Sequence, residues 1–312
     1  MPSAVHAITK PNGARQPSAR RFFSSVSFIV GVATMLVVTE PALAGKELHD
    51  LTLPAPQRPP KPLFELGVVV GGAYLPDYPA AAQRHLNGIA LPYFAFRGKI
   101  FRSDEKGLLR SRLVKTDRLE FDISLDGAFA SDSDKNDARR GMPDLDWLGE
   151  VGPRLQWTVA RAAHSAKVDL ELAVRAAFST DLSRIESRGY VFEPEIAYQH
   201  ENFLQQNLEV KWSLGAVFAT EDLMDYFYEV EPRFVSAARP TFDAKSGYLG
   251  TRSQLSLVKE LGPRFSLLTA FRLDYLGGAE NEDSPLFKNE VTFGAGAALV
   301  WSFYQSKARA HP

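Results

Sequence analysis

The sequence predicts an all-β fold, an antiparallel transmembrane β-barrel of about twelve strands after a cleavable N-terminal signal peptide. Three observations predict it: long segments that alternate apolar and polar residues, mixed formal charge on their polar faces, and aromatic residues at the ends of their apolar faces. The stretch DRLEFDISLDGAF (117–129) shows the first two together. Leu119, Phe121, Ile123, Leu125 and Gly127 fall on one side of a strand, and Arg118, Glu120, Asp122, Ser124 and Asp126 on the other.

The elements follow in chain order. A basic region ending in Arg20-Arg21, the apolar run FFSSVSFIVGVATMLVV and then Ala42-Leu43-Ala44 read as a secretory signal over residues 1–44. The 268 residues that remain carry 32 basic and 36 acidic side chains, a net charge of −4, which excludes a nucleic-acid footprint. The chain has no cysteine, so it holds no disulfide framework and no thiolate zinc site. Residues 45–63 include PAPQRPPKP, an extended proline-rich segment expected in the periplasm. No later run reaches the ~18–20 apolar residues of a spanning helix, so a membrane-spanning chain has to be a barrel.

From Phe64 to Tyr304 the period is two. The segments lie near 64–74, 88–98, 107–115, 117–129, 148–161, 166–178, 188–200, 206–219, 226–236, 248–260, 263–276 and 289–304, with no competing helix. They are longer than soluble strands, and exposing an Arg or Lys to lipid at mid-depth would cost ~2–4 kcal/mol. The charged face must therefore line the lumen. Phe265 and Tyr275 bracket Leu267 to Leu273, and Phe293 and Phe303 bracket Ala295 to Leu299. Ten steps of ~3.3 Å tilted by ~40° climb about 25 Å, the height of an outer-membrane apolar band. Pro153 and Pro194 fall inside expected strands and call for bulges or strand ends there. Counting strands from a periplasmic N-terminus puts the long 130–147 connection on the periplasmic side.

Five separated stretches then carry a resemblance: GGAYLPDYPAAAQ (71–83) with LPYFAFRG (91–98), NDARRGMPDLDWLGEVGPRL (136–155), YEVEPRF (228–234), ARPTFDAKSGYLG (238–250) and DSPLF (283–287). Together they resemble the MltA-interacting protein family, also called MipA/OmpV, over nearly the whole chain after the signal. The resemblance implies a non-enzymatic barrel in the cell outer membrane, embedded in its lipid. It also implies a scaffold role toward two periplasmic murein enzymes, a lytic transglycosylase and a penicillin-binding synthase. A narrow porin-like permeability barrel or an adhesin is the alternative it leaves open. One departure stands out: Phe303-Tyr304 is followed by the polar tail QSKARAHP (305–312), where such barrels usually end on an aromatic residue.

Chemistry-bearing patterns are sparse. The histidines after the signal, His49, His85, His164, His200 and His311, show no metal-ligand spacing, and His164-Ser165 would point to opposite faces of a strand. No catalytic residue, metal or cofactor is expected, and a lipid-modifying enzyme would need a Ser–His pair that the sequence does not display. The spacing from Asp132 mimics a calcium loop, but its sixth position is Asp137 and its twelfth Pro143, which do not fit. The pairs Glu193/Glu195 and Glu229/Glu231 are expected on strand faces as lumen charges, balanced by Arg118, Arg175, Lys211 and Arg272. The candidate site is GMPDLDW (141–147), where Met142, Leu145 and Trp147 are apolar groups set among Asp144 and Asp146. Such a loop serves equally as a partner-docking surface or as a plug.

Overall fold

On the strand Ala166–Thr180, Leu170, Leu172 and Val174 are exposed while Asp169, Glu171 and Arg175 are buried. This inverts a soluble sheet and is what a lipid-facing barrel wall requires. The computed structural model describes residues 61–97, 102–104, 107–110, 114–162 and 165–309, all within one unit, Arg58–Pro312. The signal and residues 45–60 of the proline-rich segment lie outside the described residues.

Ten long strands form the wall: β1 (Phe64–Pro76), β2 (Arg84–Arg97), β6 (Leu119–Ala128), β7 (Trp147–Ala162), β8 (Ala166–Thr180), β9 (Ile185–Phe203), β10 (Leu208–Ala219), β11 (Gly247–Gly262), β12 (Phe265–Tyr275) and β13 (Val291–Gln305). Three short ones, β3 (Arg102–Asp104), β4 (Gly107–Arg110) and β5 (Val114–Lys115), lie between β2 and β6. The sheet runs β4-β3-β2-β1-β13-β12-β11-β10-β9-β8-β7-β6-β5, antiparallel throughout, and curls so that β4 comes beside β6. Among the described residues no helix is long and apolar enough to cross a membrane.

The first and last strands meet, and their outer ends define one end of the barrel, the terminus end. β1 pairs with β13 from Glu65↔Gln305 to Tyr74↔Ala295. Beyond this ladder the tail is stitched on, Leu63 N–H donating to Ala308 O at 2.8 Å and Ser306 N–H to Phe64 O at 2.8 Å. Beneath it Glu65 accepts from Arg97 at 2.6 Å and from the Ser302 hydroxyl at 2.7 Å. Aromatic residues ring the outer surface at both ends. Phe265 stacks on Trp301 and Phe64 packs on Phe94 and Tyr304 at the terminus end, while Phe129–Trp147 and Phe192–Phe218–Tyr248 lie at the other.

Three expectations need correction. Residues 226–236 are not a strand: they hold the end of helix α1 (Glu221–Tyr228) and a 3-10 turn at Pro232–Phe234. Leu223, Met224, Phe227 and Tyr228 form one buried helical face, and Glu221 and Asp222 favour the positive first turn. The alternation of Tyr226, Tyr228 and Val230 hid that helical spacing. Glu229 and Glu231 accordingly sit in a loop, not on a strand face.

The 130–147 connection lies at the end opposite the termini, beside the β1–β2 loop, because β3 turns the chain once more than the sequence reading allowed. The missing β3 and the surplus strand at 226–236 offset in number but reverse the sense of every strand between them. Connections at the terminus end are short, such as 204–207 and 263–264, whereas 129–146, 220–246 and 276–290 rise at the other. Outer-membrane barrels in general turn their short connections to the periplasm and their long loops outward.

Third, neither proline needs a bulge or a strand end. Pairing with β8 runs Val151↔Ala176 and then Arg154↔Ala173, and β9 with β10 runs Gly215↔Glu195 and then Phe218↔Phe192. The ladder skips Pro153 and Pro194 without changing register, since only the missing N–H bonds are lost. A glycine adjoins each site: a Cβ on Gly152 would meet Val174 O at 1.9 Å, and one on Gly215 would meet Pro194 O at 2.6 Å.

Candidate functional site

Alternation delivers every second side chain of β6 to β12 to the lumen, and there the charges find partners. Arg154 stands opposite Asp122 in the ladder and grips it with two bonds, Nε–Oδ1 at 2.9 Å and Nη2–Oδ2 at 2.6 Å. Its third contact is Glu171 at 3.2 Å, which shares Lys211 (2.9 Å) with Glu195 (3.6 Å). A second knot lies nearer the long loops. Arg175 holds Glu150 at 2.8 Å and Glu193 at 2.5 Å, while Arg252 holds Asp274 at 3.0 Å, Glu193 at 3.3 Å and Asp126 at 3.4 Å. Arg272 completes it at 2.6 Å from Asp274. β7 to β10 separate β6 from β11 in the sheet, so the Arg252–Asp126 contact reaches across the lumen.

Of the four expected counter-charges, Arg175, Lys211 and Arg272 belong to this lattice. Arg118 does not; it is exposed at the terminus end. Arg154, which ties β6 to β8 through β7, and Arg252, which ties β6, β9 and β12 to β11, were not foreseen as hubs. Both lie on the charged face of alternating segments, and only the register shows what they reach.

Beside the lattice is a cavity of about 480 Å³, walled on one side by Asp126, Arg175 and Glu193 and on the other by Ile89, Ala270 and Ala298. The second wall continues into an apolar cluster of Tyr93, Ala95 and Val300 with Val69 and Leu268.

Above the lattice four loops fold together into a cap with its own apolar core, including Tyr78, Leu145, Leu223, Met224, Tyr228 and Leu286. Its ties run between loops. Tyr78 Oη donates to Leu286 O at 2.8 Å, Tyr228 Oη to Pro79 O at 3.1 Å and Ser284 Oγ to Tyr228 O at 2.8 Å. Arg139 is the hub, donating to Ser133 Oγ at 3.2 Å, Pro143 O at 3.2 Å and Phe227 O at 3.3 Å, with its guanidinium 5.7 Å from the Tyr78 ring centre. Burial lowers the pKa of this guanidinium and raises those of the Tyr78 and Tyr228 hydroxyls. Asn136 donates to Asp77 at 2.7 Å, whose other oxygen lies 2.6 Å from His85 Nδ1.

The candidate residues fall inside this cap, with one exception. Leu145 is 3% exposed and Met142 packs against the same core. Asp144 accepts from the Ser133 N–H at 2.7 Å, and the Asp146 carbonyl accepts from Tyr226 Oη at 3.2 Å. Trp147 opens β7 and faces outward beside Phe129. The carboxylates that mimic a calcium loop serve the loop itself. Asp132 bonds the N–H of Asp134 and the Lys135 ammonium, which holds its pKa below the usual range, and Asp134 accepts from the Gly141 N–H. No group of three or more His, Asp or Glu set to hold a metal occurs among the described residues. His200 Nδ1 accepts from the Asn202 N–H at 3.2 Å, and His49, His164 and His311 lie outside the described residues.

A family model described as MltA-interacting protein MipA matches residues 68–303. No curated protein matches the chain. Among solved structures, an outer membrane channel from Pseudomonas putida F1 is similar at 11% identity and TM-score 0.43, covering 83% of this chain and 100% of its own. A bacterial polysaccharide outer membrane secretin is similar at 7% identity and TM-score 0.40, covering 77% and 99%. The NanC porin is similar at 10% identity and TM-score 0.36, covering 76% and 100%.

Proposed function

Since the chain belongs to the MltA-interacting protein MipA family and is an outer-membrane β-barrel, we propose that it is a plugged, non-enzymatic scaffold for periplasmic murein enzymes. A lytic transglycosylase is the partner that the family description suggests, and a penicillin-binding synthase is the second. The observation that carries the reading is the double closure of the lumen. Arg252–Asp126 bridges it from side to side, and the cap fills its outer end. A barrel built this way is poorly suited to be a porin, and what it offers the periplasm is its terminus-bearing rim.

Met142, Asp144, Leu145 and Asp146 then act as plug residues, with Trp147 a membrane anchor beside them, and docking passes to the rim and the proline-rich segment. Immobilised, detergent-folded barrel should capture a lytic transglycosylase and a penicillin-binding synthase from solubilised envelope. Capture should survive Leu145→Ala and fail when residues 45–60 are removed. An eluate without murein enzymes, from barrel shown folded by heat-modifiable migration, sinks the scaffold. The cavity beside the lattice favours a permeability role as second reading, and steady wild-type conductance in a planar bilayer would support it.

A further inference from the structure

The two ends of the barrel carry opposite charge. The outer connections 77–83, 129–146, 181–184, 220–246 and 276–290 hold seventeen acidic and eight basic side chains. The described stretches at the terminus end, 61–63, 116–118, 165, 204–207, 263–264 and 306–309, hold five basic and one acidic, so the periplasmic rim is the basic pole.

Most of that charge is gathered in one patch. Gln305 Nε2 donates to Pro263 O at 2.6 Å and Ser302 N–H to Arg264 O at 2.8 Å, which sets the β11–β12 turn against the root of the tail. Pro62 bridges Arg309, which sets the tail against the incoming segment. Lys61, Arg264, Lys307 and Arg309 are thereby assembled from three separate parts of the chain. Lys61 pairs with Glu260 at 2.9 Å. Arg264, Lys307 and Arg309 are exposed, and their side chains make no ion pair or hydrogen bond among the described residues. A tail beyond the last strand that is hydrogen-bonded into place, yet leaves its cations unused, is a surface held ready for an anion.

We propose that this patch binds murein itself, through the carboxylates of its stem peptides. The inference rests on the scaffold reading and deepens it: the rim holds the polymer on which the captured enzymes act. A repeating anion suits three exposed cations, because each contact is weak and many recur along the strand.

The test uses full-length mature barrel in nanodiscs of zwitterionic lipid, sedimented with purified murein sacculi. Wild type should co-sediment at about 50 mM salt and be released by about 0.5 M, where exposed charges are screened. The triple variant Arg264→Gln, Lys307→Gln and Arg309→Gln should bind about tenfold less, while Arg184→Gln with Arg233→Gln on the outer loops changes nothing. Heat-modifiable migration checks that each variant is folded. The proposal falls if wild type does not sediment, or if the triple variant sediments equally well. It also falls if phosphatidylglycerol in the disc suppresses binding as fully as the triple variant, since the patch would then serve lipid headgroups. Enzyme capture by the same triple variant reads the scaffold separately, because it needs no sacculus.

Discussion

In the cap the largest buried side chains include Leu145, Leu223, Met224 and Tyr228; on the strands below they are Asp122, Glu171, Arg175 and Asp274. The cap is packed as the core of a small soluble domain is packed, by apolar contact tied with backbone-directed hydrogen bonds. The lattice is held by charge, and each charge there is affordable only while its partner is present. The cap should therefore fail locally and gradually, and the lattice all at once.

Removing a lattice hub tests this most severely. Arg252→Ala strips Asp126 of its nearest cation, leaves Asp274 to Arg272 and Glu193 to Arg175, and should cost about 3–5 kcal/mol, read as a lower urea midpoint of barrel unfolding. It should also add cation-selective conductance, because the bridge across the lumen is gone. Stability within about 1 kcal/mol of wild type would show the lattice to be ornamental to the fold.

In the cap, Leu145→Ala should cost about 2–4 kcal/mol of loop stability, visible as faster amide exchange over 129–146 and 220–246, with the strands unaffected. Exchange that rises equally in β7 and β8 would mean that cap and wall form one cooperative unit. Tyr228→Phe removes only the bond to Pro79 O, and about 1 kcal/mol is expected.

The smallest effect separates the regions by pH. Burial, reinforced by Glu229, Glu221, Asp243 and Asp222, raises Asp225 to about 6, and one of its oxygens is buried without a hydrogen-bond partner among the described residues. Its folded pKa lies above its unfolded one, so the cap is penalised above pH 6 and relieved as pH falls toward 4. Asp225→Asn should flatten that dependence and stabilise the cap near pH 7 by roughly 1 kcal/mol, solvent screening having reduced the full shift. A cap equally stable at pH 7 and pH 5, measured by amide exchange, would contradict it.

Which parts were legible in the sequence follows from the same contrast. The wall is legible because period two acts residue by residue: Leu170 and Glu171 disclose their sides without knowledge of any partner. The lattice is half legible, since alternation puts Arg252 in the lumen but cannot say that it meets Asp126 across four strands. The cap is illegible as an object. Its pieces stand out as DYPAAAQ, NDARRGMPDLDW, YEVEPRF and DSPLF, the very stretches that carry the family resemblance. Nothing local says that Tyr228 reaches Pro79 or that Ser284 reaches Tyr228. The orientation error came from three residues, Arg102–Asp104, too short for a periodic pattern to register.

The pairing of β1 with β13 also bears on what happens to a chain that loses its last strand. Ten rungs tie β1 to β13, so a chain cut short before Val291 leaves β1 paired with β2 alone. Such a product keeps two raw sheet edges and an open wall, a form that aggregates or is degraded and does not persist in a bilayer. Closure of the wall thus hangs on a single seam, joined by the two strands that lie furthest apart in the sequence.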